Sequence, residues 1–398
     1  MQHQWKNWSG TIHFTPGSYV APKEEEQVAE IVASAARRGL GVRPLGRGHS
    51  SSPLVQTDGV LLSLKNFSGI SSFDLDNSEV WLGAGTVLSK AGRDLLEIGF
   101  SMENYGDVAY QSAAGAFGTG THGSGVHLKN LSYHLTGVRF IDSRGEIIQV
   151  EEQSNPEFFK AARVSLGTLG IFTSVRLKVI PAFRAVRRYW CTHVDDCLEH
   201  IEELQNNNRS FDFYWYPRSD LVQIRTLNLV NEDKNEATGS SQLRKEKYGY
   251  ATDIIPHERT LKYHEMEFAY PLKMGPLVFR RIRNRVKKIH RKDVCWRVLY
   301  RTVAGDDTFL SNCYGQDTVA ITIHQNVTLP YEQYFADMEP LFVSLGGRPH
   351  WAKKHSLQSE SLKERYPMWD DFLAVRKKWD PEGVFLNSYL RQLFGLKS

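Results

Sequence analysis

An α+β fold in two parts is what this sequence predicts, and three observations carry the prediction. The chain has 398 residues, which at about 150 residues per domain is too long for one ordinary core. Up to Pro181, strand-like and helix-like stretches are mixed without regular alternation, so layered α+β packing is expected. Beyond it, apolar residues alternate at Phe211, Phe213 and Trp215 and again at Val319, Ile321 and Ile323, the signature of a second, largely antiparallel sheet.

Taken in order, Lys23 to Arg38 reads as a helix. Pro22 precedes it, Glu24 to Glu26 suit its positive end, Val28, Ile31, Val32 and Ala35 form one stripe, and Gly39 stops it. A strand, Val42 to Leu45, leads into the loop GRGHSSS. Leu61 to Leu64 and Val80 to Leu82 are short strands, and Thr86 to Ile98 is a helix closed by Gly99. Val138 to Ile141 and Ile147 to Val150 form a hairpin across Asp142-Ser143-Arg144-Gly145. A helix follows near Asn155-Pro156-Glu157, then a glycine turn, SLGTLG, runs into the strand IFTSVRLKV. In the second half Cys295 to Val303 is strand-like, and the polar run Leu229 to Tyr248 is expected to be a mobile loop. Arg280 to Lys292 is expected as an amphipathic helix with Ile282, Val286 and Ile289 on its apolar stripe and a basic opposite face.

Composition bounds the function. A formal net charge of +4 and 24% charged residues do not describe a chain that coats nucleic acid, and the 12% aromatic content argues against disorder. Cys191, Cys197, Cys295 and Cys313 form no CxxC pair, so reduced, structural thiols and no zinc are expected; the i,i+5 spacing of His350 and His355 likewise predicts no metal. The N-terminal stretch lacks an apolar signal core and no run of about 18 apolar residues occurs, from which a cytoplasmic protein with no transmembrane segment is expected.

The densest glycine stretch is Ser112 to Gly125, SAAGAFGTGTHGSG. Glycine frees the backbone for positive φ and close approach, so its N–H groups can wrap a pyrophosphate; a ligand-free surface turn has the same composition. In GRGHSSS, Gly46 and Gly48 imitate a dinucleotide fingerprint, but Ser51 stands where the third glycine belongs and no helix follows. No P-loop motif is present either.

Together, GRGHSSS, AAGAFGTGTHGSG, SLGTLGIFTSV and the tail HWAKKHS to DPEGVFLNSYL resemble the aldonolactone oxidase branch of the vanillyl-alcohol-oxidase-like flavoproteins, which includes L-gulono-1,4-lactone, D-arabinono-1,4-lactone and alditol oxidases. The resemblance covers nearly the whole chain, and HWAK with DPxGxFLNSYL is its most specific part. It implies an FAD-binding unit of the PCMH type over residues 1–184, a substrate-covering sheet unit over 185–364, and a segment 365–398 returning to the first. Implied FAD contacts are Pro44, Leu45, Gly46, Arg47, Gly48, His49, Ser50 and Ser51, then Ser112, Gly115, Gly118, Thr119, Thr121, His122, Gly123 and Ser124, then Gly170 and Ile171. In relatives with GxGHS, the histidine at the place of His49 carries FAD covalently through the flavin 8α carbon. His122 is expected as a structural ligand of backbone or cofactor.

The implied chemistry is hydride transfer from a CH–OH group of a sugar lactone, alditol or modified sugar to flavin N5. Lys353 of HWAK and Arg301 match the family's catalytic cations, which would stabilise charge on the reduced ring. The family pairs this arginine with a glutamate two residues earlier, on the same strand face; here that residue is Leu299. Either Glu265 or Glu267 of HEMEF takes its place, or the substrate is less hydroxylated or itself acidic. Small residues such as Gly118 and Gly120 favour access of dioxygen, so peroxide formation is expected. Partners expected are a sugar-like small molecule and dioxygen or another acceptor, with no nucleic acid, in a monomer or small homo-oligomer. Competing readings are a biosynthetic flavin oxidase of a non-sugar alcohol or amine, and a noncatalytic protein whose basic helix docks on nucleic acid or membrane.

Overall fold

The structure, a computed structural model, describes residues 4–231, 239–255 and 260–397. Strands β1 (Ser18–Val20), β2 (Val42–Leu45) and β3 (Val60–Ser63) form a parallel sheet in the order β1-β3-β2. Parallel pairing needs a crossover, and α1 (Glu25–Arg37) supplies one between β1 and β2, burying Val28, Val32 and Ala35 at helical spacing. The end of β2 thereby delivers GRGHSSS to a fixed place.

An antiparallel sheet follows, ordered β7-β6-β8-β5-β4, from β4 (Ile70–Asp74), β5 (Glu79–Gly83), β6 (Leu135–Ile141), β7 (Ile147–Glu151) and β8 (Ile171–Lys178). Its β6–β7 hairpin pairs Ile141 with Ile147, and Asp142 Oδ1 accepts from the N–H groups of Arg144 and Glu146, both at 2.9 Å, which closes the turn. Helix α2 (Leu88–Glu97) ends before Gly99 at φ +83°. The first half of the glycine stretch is not a loop: Ala113–Gly118 is a short helix, α3. Three alanines favour it, and Ala113, Ala116 and Phe117 bury in the core, which outweighs the glycine cost. In α4 (Pro156–Ala162), proline opens the helix and the Asn155 side chain caps it by accepting from Phe158 N–H at 3.1 Å.

The largest sheet has eight antiparallel strands: β9 (Arg184–His193), β10 (Ser210–Tyr216), β11 (Leu221–Leu229), β12 (Gln242–Tyr250), β13 (Tyr263–Pro271), β14 (Val298–Val303), β15 (Thr318–Asn326) and β16 (Arg348–Pro349). Their spatial order is β12-β9-β11-β10-β14-β15-β13-β16. One face is apolar: Phe213 and Tyr300 stack at 4.8 Å, and Phe279 of α5 (Gly275–Arg285) meets Phe213 edge-on at 5.1 Å. The opposite face is polar and looks towards the glycine loops.

Three expectations are corrected. The last part of the polar run after Leu229 is not a loop, since Gln242–Tyr250 forms edge strand β12 on β9; residues 232–238 lie outside the described residues. The stretch from Cys295 is strand only from Val298, because Cys295 to Arg297 pair with no neighbour in the ladder. Ile289 is 45% exposed, whereas His290 is buried. Residues 286–290 form a π turn, whose wider winding keeps Ile282, Val286 and His290 on one face and rotates Ile289 outwards.

The C-terminal segment packs back on the first sheets. Trp379, ending α6 (Trp369–Trp379), packs on Phe158 at 5.0 Å and Phe140 at 5.4 Å. The Asp380 carboxylate accepts from Val384 and Phe385 N–H groups, holding a turn whose Val384 carbonyl accepts from Val42 N–H at 2.8 Å. Asn387 caps α7 (Ser388–Phe394) and donates to the carbonyls of Pro53 and Gln56 at 3.0 and 2.7 Å.

Candidate active site

Two cavities meet at His49 and Gln111, which line both. The first is a cleft of about 100 Å³ between the end of β2, the start of α3 and the turn before β8. Pro44, Gly46, Arg47, Gly48, His49, Ser50, Ser112, Gly115, Gly118, Thr119 and Gly170 all line it. A Cβ on Gly46 would collide with the Ser112 hydroxyl, and Gly48 stands at φ +67° with its α-carbon facing the Trp5 ring, 2.7 Å from where a Cβ would lie. The two loops can pack together only because side chains are missing there. No hydrogen bond within the described residues takes up the backbone N–H groups of Gly46 to Ser50. Such a row of donors suits a diphosphate, and Leu54, Val55 and Phe172 give the same cleft apolar walls, so the donor set fits FAD.

The remaining expected contacts lie elsewhere. Leu45 and Ile171 are buried in the core; Ser51, Thr121 and His122 line the second cavity; Gly123 and Ser124 face the large sheet, where the Ser124 hydroxyl accepts from Thr302 N–H at 3.1 Å and donates to the Phe211 carbonyl. Gly120 stands at φ +71° with Val164 3.5 Å from where a Cβ would lie.

Arg43 escaped the sequence reading, and it holds the cleft together. Buried within β2, its guanidinium donates to the carbonyls of Leu54 (2.8 Å), Leu166 (2.7 Å), Gly167 (2.8 Å) and Phe385. Burial, only partly offset by Asp380, pulls its pKa down to about 9. Its signal was the acid of DPEGVF, a buried negative charge that calls for a cation.

The second cavity, about 230 Å³, is floored by the polar face of the large sheet and walled by Trp8, Tyr263 and Trp296. Strand register builds the floor. Tyr214, Leu299, Thr322 and Glu267 stand side by side across β10, β14, β15 and β13, while Arg301 stands opposite Ala320 in the adjacent row. The small Ala320 leaves room for the Arg301 guanidinium to reach Glu267 Oε2 at 2.5 Å, where Thr322 also donates at 2.6 Å. Glu267 thus provides the counter-charge that Leu299 does not. Arg301 Nη1 donates to the His122 carbonyl at 3.3 Å, and its buried Nε has no partner among the described residues.

HWAK is placed by the edge of the sheet. It continues β16, and the His350 and Lys354 N–H groups donate to the carbonyls of Glu267 (3.0 Å) and Glu265 (2.9 Å) on β13. Lys353 Nζ then lies 2.5 Å from Glu265 Oε2, whose other oxygen is 3.5 Å from His324 Nε2. Burial opposes ionisation of both glutamates, yet Arg301 and His122 hold Glu267 well below the ordinary carboxylate range, and Lys353 with His324 brings Glu265 to about 2. Burial also drives His350 down to about 3. At His49, burial, then Lys353 and Arg47, lower the pKa to about 4, and the ring stacks on Trp8 at 5.4 Å. A neutral imidazole, with one nitrogen lone pair available, sits where the two cavities join.

His122, Glu267 and His350 bring potential metal ligands within 4.8 Å of one another. Without an ion, hydrogen bonds and an ion pair link part of this group. The His122 ring nitrogens lie 2.9 Å from Gly123 O and from Glu267 Oε1. Glu267 is also neutralised by Arg301.

A family model described as D-arabinono-1,4-lactone oxidase matches residues 175–255 and 238–393, and one described as FAD binding domain matches residues 16–151. L-gulono-1,4-lactone dehydrogenase of Mycobacterium tuberculosis is 31% identical over 98% of this chain and 99% of its own length. The chain belongs to the D-arabinono-1,4-lactone oxidase family. L-gulonolactone oxidase of Bos taurus is 26% identical over 98% of both chains. The architecture is also that of cholesterol oxidase from B. sterolicum, at a TM-score of 0.87 with 16% identity, covering 99% of this chain and 97% of that one. This member of the D-arabinono-1,4-lactone oxidase family is an FAD-dependent oxidoreductase with an α+β, two-part architecture. Among the described residues no helix is long and apolar enough to cross a membrane.

Proposed function

We propose that the chain oxidises a CH–OH group of a sugar lactone or related polyol, with FAD held in the glycine-lined cleft and joined covalently to His49. The observation that carries this reading is the meeting of the two cavities at a neutral histidine. FAD, when bound, supplies the two-electron acceptor for the substrate hydride. The protein's own work is electrostatic and positional. Arg301, fixed by Glu267, and Lys353, fixed by Glu265, present cations where negative charge develops as substrate is oxidised. Trp8, Tyr263 and Trp296 wall the pocket against water. On this reading residues 1–184 form the cofactor unit, 185–364 cover the substrate, and 365–398 close the cofactor unit from behind.

Dioxygen is the proposed electron acceptor. An open surface groove, walled by Tyr331, Phe335, Val343 and Leu357 together with Glu332, Glu339 and Lys354, reaches Ser51 and Lys353 and gives small solutes such as dioxygen a route towards that side of the site. Hydrogen peroxide produced in air with L-gulono-1,4-lactone supports an oxidase; dye-linked turnover without peroxide makes the enzyme a dehydrogenase. Acid precipitation tests the link to His49. Yellow colour should stay in the wild-type pellet and pass to the supernatant in His49→Ala, whereas wild-type flavin released by acid rules out the covalent bond.

A further inference from the structure

Arg297 lies two residues before Leu299 and four before Arg301, and all three line the second cavity. Leu299 and Arg301 share a strand face, and Arg297 enters the same cavity from the segment just before the strand, so the lining carries two cations with an apolar residue between them in sequence. The other charged side chains of this floor are matched. Arg301 pairs with Glu267, Lys353 with Glu265, and Asp107 with Arg187 and Arg225. Arg297 pairs with no carboxylate among the described residues, and its buried Nε has no hydrogen-bond partner.

Its orientation is nevertheless set. The guanidinium lies 3.8 Å from the centre of the Tyr214 ring, and the Tyr214 hydroxyl is itself tied to Asp107 at 3.0 Å. This cation–π contact holds the guanidinium over the ring while its donors make no hydrogen bond among the described residues, which leaves them for an anion. Leu299 adds no negative charge between the two arginines, and the carboxylates that also line the cavity, Asp107 and Glu265, are each held in ion pairs.

We propose that Arg297 anchors a carboxylate on the substrate, so that this enzyme prefers a carboxylate-bearing sugar lactone or polyol over its neutral counterpart. The inference rests on the second cavity being the substrate site. One uncompensated guanidinium matches one carboxylate in charge and geometry, whereas a phosphate dianion would call for more unspent donors.

The test uses FAD-loaded enzyme and two compounds, L-gulono-1,4-lactone and the lactone in which its terminal hydroxymethyl is replaced by a carboxylate. The ratio of kcat/KM, carboxylate over neutral, is expected to exceed about ten in the wild type and to fall about tenfold or more in Arg297→Gln, mainly through KM. Arg297→Lys, which keeps the charge without the planar fork, should give an intermediate ratio. A wild-type ratio below one, or a ratio that Arg297→Gln leaves unchanged, overturns the proposal. Binding is read separately from the change in flavin absorbance on titrating each compound. If neither compound is oxidised but the carboxylate binds in an Arg297-dependent way, the anchor stands and the lactone reading falls. If the neutral lactone is oxidised and the carboxylate neither binds nor reacts, the anchor falls and the lactone reading stands. If neither compound binds, both fall.

Discussion

The two cavities that meet at His49 are built in opposite ways. The cleft is made of backbone: glycines, a serine hydroxyl and unspent N–H groups, contributed by loops that are each contiguous in sequence. The pocket beside it is made of charged side chains from β13, β14, β15 and the segment after β16, balanced in pairs that span tens of residues. A backbone site tolerates change of side-chain chemistry but not of side-chain volume. A charge-balanced site is the reverse, because removing one partner strands the other in a low-dielectric interior.

Glu267→Ala should make that difference largest. Leaving Arg301 buried without its counter-charge is expected to cost about 3–5 kcal/mol of stability, measured by urea denaturation, together with most of the activity. Adding Leu299→Glu should recover part of both, since residue 299 shares the strand face of Arg301. A double variant no better than the single one would mean that Glu267 matters through His122 and Thr322 rather than through Arg301.

Acid should separate the two regions next. Glu265 drops from 4.5 to about 2 on folding, so its contribution to stability is complete above pH 4.5 and is lost as the pH falls towards 2. His49 and His350, lowered from 6.5 to about 4 and about 3, contribute fully above pH 6.5 and lose that contribution on acidification through the same sign of linkage. The urea midpoint should therefore fall steadily below pH 6.5, and Glu265→Gln should flatten the limb below pH 4.5. An unchanged limb would assign acid sensitivity to groups outside the pocket.

The smallest effect expected is steric and belongs to the cleft. Gly46→Ala drives a methyl group into the Ser112 hydroxyl and should cost about 1–3 kcal/mol, with weakened FAD retention. Ser112→Gly should relieve much of it; if it does not, the backbone at Gly46 rather than the contact is the constraint.

This contrast also decides what could be read from the sequence. The cleft residues Gly46, Gly48 and Ser112 sit in short motifs, and the β6–β7 hairpin announces itself by apolar alternation around an Asp-Ser-Arg-Gly turn. The Arg301–Glu267 pair has no local signature: it depends on register across β14, β15 and β13 and on the small size of Ala320. Leu299 pointed to a missing acid, but only three-dimensional pairing chose between Glu265 and Glu267. β12 was missed because an edge strand exposed over most of its length has no buried face to impose period-two hydrophobicity. Ile289 misled because a local change in helical winding is invisible to a pattern that assumes 3.6 residues per turn.

Arg43 ties the cleft to Phe385, 342 positions further along the chain. During synthesis on the ribosome the glycine loops emerge well before Phe385, whose carbonyl holds Arg43 beside them. Until then the Arg43 guanidinium lacks a carbonyl partner, and Val42 lacks its bond to Val384. A chain cut before Asp380 would keep every glycine motif yet leave Arg43 without the Phe385 carbonyl and Val42 without its bond to Val384.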